Sequence, residues 1–330
     1  MKRAAVLIGM LLAVSGAAVC TRGGTTDKPP QGPFGLFLSP QVFDIEDRVR
    51  IAQELGAYYF RTYPVLLPSW NGECSECQIV QDAGLHFVLT IRNTPSIDEA
   101  ASPVADLDGF KRTVGEILDL YKPALVVLEN EENTPSYFTG TPEQYVSELA
   151  ALCEVAHSRD IPCANGGLLS GSVTWMVYFH YLDTGQTAEA KSFEERGLEP
   201  FQQKRLETPG GDQDGRKVAD LTMRFLTQYK GAGADYLNIH WYVSDNQALE
   251  ESVDYLSGLA GLPIVTNEIG QRNLEPSVTT ALMNMVLQLR LPFAVWFSSD
   301  GRLSQALVDP DGSIRPTGEA FQSFIKSNYG

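Results

Sequence analysis

Basic residues are scarce in this chain: 25 Lys and Arg stand against 41 Asp and Glu, a formal net charge of −16. A surface that acidic repels polyanions at long range, which argues against nucleic acid as a partner and says nothing against neutral ligands. Histidine is rarer still, with four in 330 residues. No His/Asp/Glu grouping has metal-ligand spacing, so neither a metal nor another cofactor is expected. No glycine-rich phosphate loop follows the first apolar run, and no nucleophile elbow is present. Beyond the N-terminus there is no apolar stretch of the roughly 20 residues that a membrane-spanning helix needs. Low-complexity tracts are missing too, and with 43% hydrophobic residues the chain can bury a large core.

What is present begins with a leader. Lys2 and Arg3 precede an apolar run from Ala4 to Val14 and then small residues, the layout of a secretory signal over residues 1–20. Cleavage after Ala17 or Ala18 is expected. Cys20 leaves open a lipoprotein-type signal with an N-terminal lipid anchor, although Ala17-Ala18-Val19 fits that pattern poorly. Residues 21–32, rich in Gly, Thr and Pro, read as a flexible linker. Losing Lys2 and Arg3 takes the net charge from −16 to −18. An extracytoplasmic location makes disulfides the expected fate of Cys74, Cys77, Cys153 and Cys163, with the pairing open.

From residue 33 to 330 short apolar runs alternate with stretches of helical period, the pattern of repeated βα units. Strands are expected at Phe34–Leu38, Tyr58–Arg61, His86–Ile91, Leu125–Glu129, Pro162–Asn165, Tyr236–His240, Pro263–Thr266 and Phe293–Phe297. Helices are expected between them, among them Asp44–Leu55, Asp106–Leu120 and Ser277–Leu289, with Pro316–Ser327 closing the chain. Thr141-Pro142-Glu143 is a helix start with proline in the first turn. This is a single-domain α/β (β/α)8 TIM barrel, with a long insertion between strands 5 and 6. A doubly wound sheet is the competing architecture, weakened by the missing phosphate loop.

In such a barrel the chemistry collects where strands end. The fourth strand runs from apolar Leu125 straight into Glu129, Asn130, Glu131 and Glu132, and the seventh ends at Asn267-Glu268. Acidic groups massed at the mouth of a buried strand lose hydration and repel one another, so they mark a site rather than a structural need. Two carboxyl groups facing across a cleft are what glycoside hydrolysis requires, one protonated to serve the leaving oxygen and one ionised. Glu131 is assigned the proton-donating role and Glu268 the ionised one, kept so by a guanidinium such as Arg61. Period-2 alternation predicts that Glu129 points into the barrel with Glu131, ion-paired with Arg92. The four tryptophans fall at strand ends or loops of one face; Trp296 and, after it, Trp70 are the candidates for stacking on sugar rings. His86, His157 and His180 read as structural.

These residues resemble the clan A glycoside hydrolases, retaining (β/α)8 enzymes that include cellulases, mannanases and β-xylosidases. The likeness spans nearly the whole mature chain. It implies Glu131 as acid/base, Glu268 as nucleophile, and Asn130 as the partner of a sugar 2-hydroxyl. It also implies Arg61 as the strand 2 arginine, His240 and Tyr242 as the strand 6 pair, with Tyr242 touching the nucleophile, and Trp296 as the floor beneath the reacting sugar. Two positions depart from the pattern: Glu132 stands where proline is usual, and Glu129 where a small or apolar residue is usual. The expectation is an exported retaining glycosidase acting on a neutral oligo- or polysaccharide. The alternative is a carbohydrate-binding barrel that has kept the cleft and lost turnover.

Overall fold

The computed structural model describes residues 31–300 and 306–330. The expected signal, Cys20 and the linker up to residue 30 lie outside the described residues. Among the described residues nine strands appear: β1 (Phe34–Phe37), β2 (Tyr59–Arg61), β3 (Val65–Leu66), β4 (His86–Arg92), β5 (Leu125–Leu128), β6 (Cys163–Ala164), β7 (Leu237–Trp241), β8 (Ile264–Ile269) and β9 (Ala294–Trp296). All but β3 follow in the parallel order β6-β5-β4-β2-β1-β9-β8-β7. Parallel bridges Ala164↔Tyr236 and Leu168↔Ile239 join the two ends of that order. The result is a nearly closed eight-stranded barrel with helices outside, as expected from the alternation of apolar runs. The short β3, which sequence periodicity did not resolve, pairs with the end of β4.

Helices α1 (Ile45–Leu55), α2 (Cys77–Asp82), α3 (Leu107–Tyr121) and α4 (Pro142–His157) return the chain after successive strands. Local chemistry fixes their starts. Asp44 and Asp106 accept from the backbone of their first turns, and Thr141 with Gln144 forms a reciprocal capping box ahead of α4. The insertion after β6 is helical throughout: α5 (Ser170–Asp183), α6 (Thr187–Gly197), α7 (Pro200–Leu206) and α8 (Gly211–Tyr229). The long insertion expected there is thus built mainly of helix. Helices α9 (Asn246–Ala260), α10 (Pro276–Gln288) and α11 (Pro316–Tyr329) complete the outer layer. The four cysteines are joined as Cys74–Cys77 and Cys153–Cys163.

Strand alternation divides the apolar residues into two groups. Leu125, Val127, Val88, Val265 and Val295 pack together with other strand residues in the barrel interior. Their neighbours Val126, Leu128, Leu89, Ile239, Trp241 and Trp296 join the larger group that contains the helices. Side chains one residue apart thus serve opposite faces, and this decides which polar groups reach the mouth.

Candidate active site

Arg61 ends β2 on the inward phase, since Phe60 before it packs outward with the helices. On β7 the inward phase carries Asn238, His240 and then Tyr242, between outward Leu237, Ile239 and Trp241. Strand β8 would, by strict alternation, send Glu268 away from the interior that Val265 faces. A register irregularity intervenes: Asn238 pairs with Val265 but His240 with Glu268, so β8 has one residue more than β7 between these pairs. That bulge aims Glu268 into the mouth directly after Asn267.

The centre is a buried pair of carboxyl groups on one imidazole. His240 Nδ1 lies 2.9 Å from Glu131 Oε1 and 3.3 Å from Glu268 Oε2. The two glutamates and the histidine each bring one polar atom within 4.8 Å of the others. Arg61 Nη1 donates to Glu268 Oε1 at 2.7 Å and to the Asn267 carbonyl at 3.0 Å, and Tyr242 donates to Glu268 Oε2 at 2.5 Å. Burial pushes the Glu268 carboxyl up, but His240, Arg61 and the Tyr242 hydroxyl outweigh it and hold it below its ordinary value. Burial likewise pushes His240 down, and the charge of Glu268 with the hydrogen bond the ring gives Glu131 raises it overall. Burial and the neighbouring Glu268 hold the Tyr242 hydroxyl far above the ordinary tyrosine range, so it stays a donor.

A buried amide ladder sets the tautomer of that imidazole. Asn238 Nδ2 donates to Asn267 Oδ1 at 2.7 Å, and His240 Nε2 lies 3.1 Å from the same oxygen. Nε2 therefore carries hydrogen, leaving Nδ1 as the atom that shares a proton with the carboxyls. Gly167 makes room for the ring: at φ 95°, a Cβ there would stand 2.2 Å from His240 Nε2. A cation between Glu131, His240 and Glu268 would compete with Tyr242 for Glu268 Oε2 and with the proton on His240 Nδ1, so this donor set suits proton transfer better than a metal. The other metal-like grouping, His157, Cys163 and Asp235, has its sulfur in a disulfide.

The acidic strand end separates in three directions. Strand β5 stops at Leu128, one residue earlier than expected, and Glu129 and Glu131 both take left-handed backbone, φ 64° and 42°. The period-2 expectation that they point the same way fails for that reason. Glu131 turns to His240. Glu129 turns to β4, accepting from the Asn93 amide at 2.6 Å, with Arg92 Nε 3.6 Å away. Arg92 is thus within reach of Glu129, as expected, while its two terminal nitrogens donate to the carbonyls of Ile97 and Glu99. Glu132 goes behind the barrel, where Asn165 and Tyr229 donate to it.

Burial raises the Glu129 carboxyl to about 8, against the Asn93 and Arg92 interactions, and raises Glu148 on α4 to about 7. The folded chain holds these protons where the unfolded chain, titrating near 4.5, has released them. Stability from this pair is complete below that unfolded value and declines as pH rises through about 7 and 8, by an amount on the order of a few kcal/mol. Glu268, held below 4.5, changes only under more acid conditions. Thermal melts should therefore show a falling Tm from mildly acid to mildly alkaline pH, and a smaller fall in Glu129→Gln. An equal fall in both proteins would refute the assignment.

A cleft of about 570 Å³ opens above the carboxyls, lined by Arg61, Asn130, Glu131, Tyr242 and Glu268 together with Phe37, Tyr63, Tyr137, Phe297 and Arg272. The tryptophans are elsewhere, correcting the sequence expectation. Trp296 is fully buried and meets Phe321 of α11 edge-on at 5.7 Å between ring centres, because alternation from inward Val295 sends it outward. Phe297, the next inward residue, reaches the cleft instead, stacked on Phe37 at 5.0 Å and facing the Arg61 guanidinium. Trp70 packs near Tyr121 of α3, Trp175 stacks on Phe179, and Trp241 is buried outward of β7. His240 lies wholly beneath the carboxyls and has no exposed surface for a ligand. Tyr137, which sequence reasoning missed, shares the cleft wall; only its position six residues after Glu131 hinted at it.

A family model described as glycosyl hydrolase catalytic core matches residues 186–321, which include Glu268 but not Glu131. No curated protein matches the chain. Among solved structures it is similar to a GH128 subgroup I endo-β-1,3-glucanase mutant from Amycolatopsis mediterranei in complex with laminarihexaose, at 12% identity over 88% of this chain and 99% of that one, TM-score 0.52. A GH128 subgroup II endo-β-1,3-glucanase from Pseudomonas viridiflava is similar at 13% identity over 88% and 97%, TM-score 0.54. A subgroup VI exo-β-1,3-glucanase from Aureobasidium namibiae follows at 11% over 88% and 96%, TM-score 0.53. At such identities the likeness establishes a shared barrel fold.

Proposed function

We propose that the chain is an exported retaining β-glycosidase acting on a neutral β-glucan, with Glu268 as nucleophile and Glu131 as acid/base. The observation that carries this is the unequal treatment of two adjacent carboxyls. Among the described residues, Glu268 has a guanidinium, a phenol and an imidazole directed at it, whereas Glu131 has the shared imidazole and an open side toward the cleft. Their approach, one oxygen each within 4.8 Å, fits the ~5 to 5.5 Å carboxyl separation of retaining enzymes better than the ~6.5 to 9.5 Å of inverting ones.

In the first step a Glu268 oxygen bonds to the anomeric carbon as the bond to the leaving oxygen breaks, and Glu131 gives that oxygen its proton. In the second, the Glu131 carboxylate takes a proton from water, whose oxygen displaces Glu268 from the same carbon. The clan A resemblance supports the same division of roles and implies Asn130 as the partner of a sugar 2-hydroxyl. Among the described residues, each arginine lining the cleft already has an acceptor: Arg61 has Glu268, Arg92 two backbone carbonyls, and Arg272 Glu199. That favours a neutral sugar over an anionic one. The β-1,3-glucanase neighbours make β-1,3-glucan the first polymer to try. Purified chain is expected to release reducing ends from β-1,3-glucan or to cleave an aryl β-glucoside. Silence on these and on plant, fungal and bacterial polysaccharides, with binding retained, would favour the carbohydrate-binding alternative.

A further inference from the structure

The large apolar side chains most exposed among the described residues are Phe201, at 64%, and Leu274, at 56%. Each lies two residues along the chain from one partner of a single ion pair. Glu199, two residues before Phe201, accepts from Arg272, two residues before Leu274, at 2.9 Å. Arg272 lines the cleft, and so does Leu169. Gly171, two residues beyond Leu169, has the Phe201 ring close by: a Cβ there would lie 3.8 Å from the ring tip. Phe201 therefore stands next to the segment that flanks the cleft wall, on the helical insertion, and is largely exposed.

Nothing in the packing of α7 calls for that ring. Its neighbour Gln202 is fully buried and anchors the helix through Gly171 and Thr174, so the fold is held without Phe201. An exposed aromatic ring at the end of a cleft lined by Phe37, Tyr63, Tyr137 and Phe297 extends the same kind of surface outward. A lone exposed apolar side chain needs no explanation, but an aromatic ring that adjoins an aromatic-lined cleft offers a flat face on which a sugar ring can stack.

We infer that Phe201, with Leu274 beside the Arg272–Glu199 bridge, forms a distal subsite that stacks on a sugar unit of a glucan chain already seated over Glu131 and Glu268. This rests on the glycosidase reading and extends it from the reacting sugar to the length of chain recognised. The Arg272–Glu199 bridge holds the insertion to the loop after β8, and so fixes the platform relative to the carboxyls.

The test compares Phe201→Ala and Phe201→Trp by calorimetric binding of a β-1,3-linked glucose hexamer and dimer, in a Glu268→Gln background that removes turnover. Phe201→Ala is expected to bind the hexamer about five- to tenfold more weakly, the scale of one aromatic contact. The dimer should bind unchanged, and Phe201→Trp should keep the hexamer affinity. Hydrolysis of an aryl β-glucoside by Phe201→Ala alone should match the unsubstituted chain. If the unsubstituted chain cleaves glucosides but Phe201→Ala alters hexamer and dimer binding equally, or neither, the subsite is refuted and the glycosidase reading stands. If the unsubstituted chain cleaves nothing yet its hexamer binding depends on Phe201, the glycosidase reading fails and the subsite survives. Absence of both cleavage and binding overturns both.

Discussion

Glu268→Gly should lower turnover of an aryl β-glucoside by about 10⁴- to 10⁶-fold, the scale seen when a covalent nucleophile is removed from an enzyme. The substitution deletes the group that Arg61, Tyr242 and His240 all hold, and it leaves a hole of carboxylate size beneath the anomeric carbon. Azide can enter that hole. It should attack once, from the vacated face, and yield a glycosyl azide of inverted configuration. Glu131→Ala should behave differently. Its loss of about 10²- to 10⁴-fold should be smallest on substrates with good leaving groups, because the glycosyl-enzyme still forms on Glu268. Azide should then attack that intermediate and give the retained configuration. The two azide products, identified by nuclear magnetic resonance, assign the roles independently of rate. The reverse pattern would exchange them, and turnover unaffected in both variants would remove both residues from the chemistry.

Arg61→Met should be nearly as damaging, for another reason. The guanidinium is 3% exposed and is one of three groups that overcome the burial of Glu268. Taking it away leaves a buried carboxylate with less compensation, a change that costs about 3–5 kcal/mol when one partner of a buried pair is removed. The Glu268 pKa should move up, so the acid limb of the pH–rate profile should shift to higher pH, with kcat lower by about 10²- to 10³-fold. Thermal melts should show the lost stability at neutral pH. Part of it should return at low pH, where Glu268 is protonated and no longer needs a cation. An unshifted acid limb would mean that Arg61 acts on something other than Glu268. Phe37 and Phe297, which face the guanidinium, would be the first place to look.

The eight barrel strands were legible because each is a short apolar run between helical stretches, and Glu131 and Glu268 because charge at buried strand ends pointed to a site, although Glu129 and Glu132 of the same cluster are taken up by the fold itself. Arg61, His240 and Tyr242 drew notice as polar groups at strand ends, and the roles expected of them came from the clan A resemblance; alternation holds on their strands, so they reach the mouth together. The failures fall where it does not hold or was not applied. Glu129 and Glu131 leave the pleat through left-handed backbone, so spacing said nothing true about their directions. The bulge that aims Glu268 depends on pairing between β7 and β8, which no single strand displays. Trp296 is a different kind of error. Inward Phe293, Val295 and Phe297 mark the phase of β9, and a tryptophan between two of them must face the helices, whatever its suitability for stacking on sugars. The insertion was visible as an excess of residues, but its contact with the cleft through Glu199 and Arg272 is a tertiary pairing 73 residues apart.

The central claim is a double displacement between Glu268 and Glu131, and the anomeric configuration of the first product tests it most directly. Proton nuclear magnetic resonance spectra recorded in the first minutes of β-1,3-glucan oligosaccharide hydrolysis should show the β-anomer of the new reducing end appearing first, with the α-anomer growing only as mutarotation proceeds. Initial appearance of the α-anomer would mean a single displacement by water and would contradict the account.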